Sequence, residues 1–149
     1  MEHRIKAFKA ALTAAIGLLT TLWGWFGWLM VAWIGCMALD VLTGMAAALR
    51  AGTWSSRKAR DGLWHKAGCV AAVTAAGLLD LVLGLLLSSL PAGTLPFDYT
   101  VLLCPITTVW YLLTEIGSVL ENAGAMGAPI PAWLRKAIAA LKDKLDDEM

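Results

Sequence analysis

The chain has 149 residues, of which 59% are hydrophobic and 15% charged, with a formal net charge of +1. Soluble domains run nearer about 45–50% apolar and about 25% charged, so the composition excludes an ordinary water-soluble globule and points to a single small integral membrane domain. The small net charge says little, but its arrangement says more.

All twelve Lys and Arg residues fall into three clusters: Arg4, Lys6 and Lys9; Arg50, Arg57, Lys58, Arg60 and Lys66; Arg135, Lys136, Lys142 and Lys144. Basic residues mark cytoplasmic loops, because they resist translocation and are drawn to anionic lipid. Three clusters on one side require an even number of spans between neighbours. The expected architecture is an all-α membrane protein with four transmembrane helices as two hairpins, a short C-terminal amphipathic helix, and both termini cytoplasmic.

The uncharged run 10–39 is too long for one comfortable span, since about 20 residues cross about 30 Å of hydrocarbon. It is interrupted at Gly24-Trp25-Phe26-Gly27, flanked by Trp23 and Trp28. Trp favours the interface and Gly permits a tight turn. Spans are therefore predicted at 5–23 and 28–49. The competing reading is one tilted helix over 12–39. A cleaved signal is rejected, because the apolar run continues far beyond a signal's short hydrophobic region. Residues 50–66 form a basic cytoplasmic loop, with Gly52 stopping the preceding helix and Ser55 or Ser56 capping a short amphipathic segment. Trp54 and Trp64 are expected at headgroup level.

A third span is predicted at 63–90, then a breaker-rich outer loop around Pro91 and Pro96. A fourth follows at 98–122, with Pro105 near its first turns as a potential kink. Gly124, Gly127, Pro129 and Pro131 end it. In the tail 131–145, Trp133, Leu134, Ile138, Leu141 and Leu145 recur at helical spacing among basic residues, the pattern of a helix that lies on the inner leaflet or packs on a neighbour.

Four acidic residues interrupt the spans: Asp40, Asp80, Glu115 and Glu121. An ionised group at the bilayer centre costs about 2.5–3.5 kcal/mol on insertion scales, so these groups should face protein or water. Asp40 and Glu121 are expected nearer the cytoplasm, within reach of the basic loop, and Asp80 and Glu115 deeper. They would form a polar seam lining a pore or holding subunits together, or simple ion pairs at helix ends. Gly44, Ala48 and Gly52 share one face, as do Gly68, Ala72, Ala76 and Gly84 with Asp80. Small faces let helices approach closely in lipid. Cys36, Cys69 and Cys104 are spaced for neither disulfides nor metal. His3 and His65 have no evident partner. No phosphate loop or nucleophile motif is present, so neither an enzyme nor a cofactor is expected.

Asp40-Val-Leu-Thr43-Gly44, then Ala48, Ser55-Ser56-Arg57-Lys58, Gly62 and Lys66, resemble the toxin-secretion and phage-lysis holin family. So does the block EIGSVLENAGAMGAPIPAWL, with Glu115, Ser118, Glu121-Asn122, Gly127, Pro129, Pro131 and Leu134. The resemblance covers 39–134. It implies a homo-oligomer in the bacterial cytoplasmic membrane that permeabilises it and lets an endolysin, or in some relatives a toxin, cross. The matching positions, Asp40, Thr43, Gly44, Gly62, Lys66, Glu115, Glu121 and Asn122, are expected in structure and assembly. The Trp-rich start lies outside the pattern. A small ion channel or transporter subunit, and a non-conducting structural or regulatory membrane protein, are the competing readings.

Overall fold

The computed structural model describes residues 2–89 and 101–147. The described residues are helical apart from short connections: α1 Glu2–Arg50, α2 Ser56–Ser88, α3 Leu103–Ala125 and α4 Ala132–Asp147. The predicted outer loop, with Pro91 and Pro96, and the predicted start of the fourth span at Asp98 lie outside them. Three helical segments are long and apolar enough to cross a membrane: Gly24–Arg50, Ser56–Ser88 and Leu103–Ala125, the last being the least apolar.

Gly24 breaks α1. Its φ of 55° and ψ of −147° belong to a region that only glycine occupies readily. The bend brings Thr20 and Trp28 together, with the indole Nε1 donating to Thr20 Oγ1 at 2.8 Å. The interruption expected from the Gly-Trp cluster is thus present, as a break inside one long α1. The segment ahead of it, residues 2–23, is not among the three span-length apolar helices.

Glycine ends two helices in the same way. Gly52 has φ 66° and Gly127 φ 96°. Around the first, Thr53 N donates to Ala48 O at 2.9 Å and Gly52 N to Leu49 O at 3.1 Å. Around the second, Ala128 N donates to Ala123 O at 3.0 Å and Gly127 N to Gly124 O at 2.9 Å. This paired pattern needs a left-handed residue just past the helix and satisfies its last carbonyls.

Three details differ from the sequence reading. Helix α2 begins at Ser56, so Arg57, Lys58, Arg60 and Lys66 stand on its first turns and not in a loop. Arg, Lys and Ala are strong helix formers, and charge alone does not stop a helix. Ser55 occupies the capping position, but its side chain makes no capping bond. Pro105 causes no kink, because it lies in the first turn of α3, where an N–H has no intrahelical partner to lose.

Helix α3 is the centre of the fold. It packs on α1, α2 and α4, while α1 and α2 barely touch each other. Met30 and Trp33 of α1 meet Thr108 and Tyr111 of α3, and Asp40 meets Asn122, so these segments run parallel. Asp80 of α2 meets the start of α3 while Lys66 meets Glu115, so α2 runs antiparallel to both. Trp33, Cys69, Val73 and Cys104 form the buried core, with Phe26, Met30, Met37 and Leu112 against it. Trp33 is 1% exposed, and its indole N–H has no partner among the described residues.

Candidate functional site

Helical spacing sets the site. Asp40, Thr43 and Gly44 sit at i, i+3 and i+4 on one face of α1, and Glu115, Ser118 and Asn122 share a face of α3. Lys66 reaches between these helices from α2. Its ammonium lies 2.8 Å from Asp40 Oδ2 and also pairs with Glu115 Oε2. The other carboxylate oxygen of Asp40, Oδ1, accepts from Asn122 Nδ2 at 2.9 Å. Asn122 Nδ2 also reaches Thr43 Oγ1 at 3.3 Å, and that hydroxyl donates to Leu39 O at 2.8 Å.

One ammonium therefore faces two carboxylates, and a single asparagine ties α3 to α1. Glu115 is only 4% exposed, so its partner must come from the protein. Burying ions is costly unless they are paired and hydrogen-bonded, and all three ions here are paired. Gly44 lies against the asparagine amide: an added Cβ would be in van der Waals contact, 3.4 Å from the Asn122 amide nitrogen.

An open cleft of about 680 Å³ leads to this network from the Arg50–Ser56 end, between α1 and α2. Asp40, Gly44, Ala48, Gly62, Lys66, Glu121 and Asn122 all line it. Lys58 and Trp54 also line it; the sequence marks Trp54 as a headgroup-level residue and Lys58 as part of the basic cluster and the family pattern, and neither as a site residue.

The four acidic residues have separate fates. Asp40 meets a lysine of the basic segment, as its position suggested. Glu115, expected to lie deeper, shares that lysine. Glu121 is exposed at the cleft and stands outside the ion-pair network. Asp80 lies apart, 3% exposed, and binds the start of α3. Its Oδ1 accepts from Leu102 N at 3.2 Å and Leu103 N at 2.9 Å, and its Oδ2 from Cys104 N at 2.7 Å. A carboxylate is well placed there, because a helix N-terminus exposes unpaired N–H groups and the positive end of the dipole.

The small-residue faces are used unevenly. A Cβ at Gly44 would meet Asn122, whereas nothing lies within 4 Å of a Cβ at Gly68 or Gly84; at Gly77, outside those faces, an added Cβ would lie 3.5 Å from Cys104 Sγ. Gly52 lies past the end of α1, in the cap. Among the described residues, no group of three or more His, Cys, Asp or Glu side chains could hold a metal ion.

The tail helix makes contacts that the sequence did not single out. α4 folds back along α3. Trp110 Nε1 donates to Asp146 Oδ1 at 2.6 Å, and Lys142 Nζ sits 4.4 Å from the centre of the Trp110 ring. Tyr111 packs edge-on against the same ring, 5.1 Å between centroids.

The bacteriophage holin family model matches residues 17–143 of this chain. An uncharacterised protein of Halalkalibacterium halodurans is 32% identical over 142 residues, covering 95% of this chain and 96% of the relative. An uncharacterised 14.9 kDa protein in the nagH 3′ region of Clostridium perfringens is 26% identical over 144 residues, covering 97% and 99%. No solved structure matches. The match takes in every residue of the network and most of the chain, and the chain belongs to the bacteriophage holin family.

Proposed function

We propose, from that membership, that the protein is a holin of the bacterial cytoplasmic membrane. Copies of the chain accumulate in the membrane as monomers, whose fully inserted form has four spans and both termini inside. They then assemble and open a path for a cytoplasmic endolysin or toxin. The observation that carries this reading is the Lys66–Asp40–Glu115 network with Asn122. It keeps three ionisable groups out of lipid within one subunit, in helices otherwise apolar enough to span.

The same groups give the opening its driving force. Subunits that repack at high density exchange internal pairing for water, and the polar face of α3 comes to line it. Small-residue positions such as Gly44 let helices re-pair closely. A charge moved across the membrane field is worth about 2.3 kcal/mol per 100 mV. A fraction of a charge per subunit, summed over many subunits, makes opening abrupt and sensitive to membrane potential.

The test is controlled expression in a bacterial host that carries a cytoplasmic cell-wall hydrolase without an export signal. Turbidity and membrane potential are followed together. A delayed, sudden loss of potential followed by hydrolase-dependent lysis is the expected result. Depolarisation without hydrolase release would replace this reading with a small-ion channel. Normal growth and potential at confirmed high levels of inserted protein would replace it with a non-conducting structural role.

A further inference from the structure

The position of α4 conflicts with the membrane position of α3, and the conflict carries an inference. Helix α3 has 23 residues, about 34 Å at 1.5 Å each, close to one hydrocarbon thickness of about 30 Å. Trp110 lies fifteen residues before Ala125, about 22 Å along the axis from the C-terminal end of α3. α4 runs antiparallel to α3 and delivers Lys142 and Asp146 to that level. Asp143, Lys144 and Asp147 on the same turns are exposed. With α3 across the bilayer and α4 docked, these charges would stand in hydrocarbon, where each is strongly disfavoured. The face that α4 covers is itself semi-polar, with Thr114, Ser118 and Glu121 along the seam beside Leu113 and Gly117.

We infer that α4 is a clasp on α3, and that its docking and full membrane crossing by α3 exclude each other. Docked, α4 shields the semi-polar face of α3, and because α3 packs along its length on α1 and α2 it keeps the three-helix bundle short of full insertion. Released, it leaves α3 free to span and exposes the same face for contact with neighbouring subunits. The clasp is held at its far end by the indole–carboxylate bond and the ammonium over the ring. Both are polar contacts that water can replace, so release needs no loss of apolar core. The inference rests on the reading of α3 as a span.

The experiment uses the full chain in bacterial cells, with Cys36, Cys69 and Cys104 replaced by alanine. Leu102→Cys, at the far end of α3, reports crossing by its reaction with a membrane-impermeant maleimide added outside the cells. Gly117→Cys and Ala139→Cys, which both line the seam, lock α4 to α3 by a disulfide in a host with an oxidising cytoplasm. The locked chain is expected to label at residue 102 at least fivefold more slowly than the same chain in a reducing host. Equal labelling of both, or labelling of neither, overturns the clasp. Independently, Lys142→Gln with Asp146→Ala in the unlocked chain is expected to speed labelling at unchanged protein level, and unchanged or slower labelling overturns it. These readouts do not depend on permeabilisation. A chain that labels as expected but never depolarises its host would keep the clasp and remove the holin reading.

Discussion

At the scale of single residues, the decisive asymmetry is one ammonium between two carboxylates. Removing Lys66 leaves Asp40 and Glu115 facing each other with no cation, both largely buried. Breaking a buried pair from one side costs about 3–5 kcal/mol, so Lys66→Met is expected to destabilise the fold by about that much. Glu115→Gln leaves the Lys66–Asp40 pair in place and relieves like-charge repulsion, and it is expected to cost clearly less than Lys66→Met. Reversible unfolding in detergent measures both. Equal losses for the two variants would mean that Lys66 does not balance the pair. The acidic residues were legible in the sequence as groups that need partners, because hydrocarbon offers them none. Which partner each takes was not legible. Asp40 and Lys66 are 26 residues apart, Lys66 and Glu115 49, and only the packing of α3 between the other helices brings all three together.

At the scale of elements, α3 depends on a side chain from another helix. Its own capping residue, Leu102, offers no side-chain acceptor, and the carboxylate of Asp80 takes three of its first N–H groups. Asp80→Ala is expected to cost about 2 kcal/mol or more, from lost charge-assisted bonds and lost dipole compensation. The loss should be local. Amide exchange at residues 102–104 should accelerate while the Asp40–Asn122 end of α3 stays protected, and uniform acceleration along α3 would contradict the capping role. The bend in α1 makes a second case. Gly24→Ala forbids the present backbone conformation, and the least strained alternative is a straight helix. Spin labels at Phe8 and Val41, both exposed, should then move apart toward the roughly 50 Å of a continuous 33-residue helical stretch. An unchanged distance would show that packing, not glycine, sets the bend. Helix ends marked by glycine were readable because their chemistry is local: Gly52 and Gly127 sit where the spacing ends. The start of α2 is legible as a segment beginning at Ser55 or Ser56, but not its unbroken run into the apolar span, because Arg, Lys and Ala continue a helix readily without leaving a boundary.

At the scale of the whole molecule, the helix directions constrain how the chain crosses the membrane. Gly24–Arg50 and α3 run parallel and α2 antiparallel, so Arg50, Ser56 and Ala125 lie at one end of the bundle. Arg57, Lys58 and Arg60 lie at that end too, and the proposed topology takes it as the cytoplasmic one by the positive-inside rule. Gly24 then lies at the outer end, and the location of Arg4, Lys6 and Lys9 turns on the segment ahead of the bend. Its uncharged part, residues 10–23, covers only about 21 Å. Extended to Ile5 it reaches about 28 Å, nearly a hydrocarbon thickness, with Lys6 and Lys9 close enough to the end to reach the headgroups. Such a segment gains little from insertion on its own and more once neighbouring subunits cover it. The four-span topology proposed for the monomer predicts that His3→Cys, in a chain whose native cysteines are alanine, is protected from an impermeant maleimide outside the cell, while Trp54→Cys is protected equally. Labelling of residue 3 but not of residue 54 would place the N-terminus outside and leave three spans. Labelling of residue 3 that disappears as the protein accumulates would make entry of this segment, and not its initial placement, the step that depends on density.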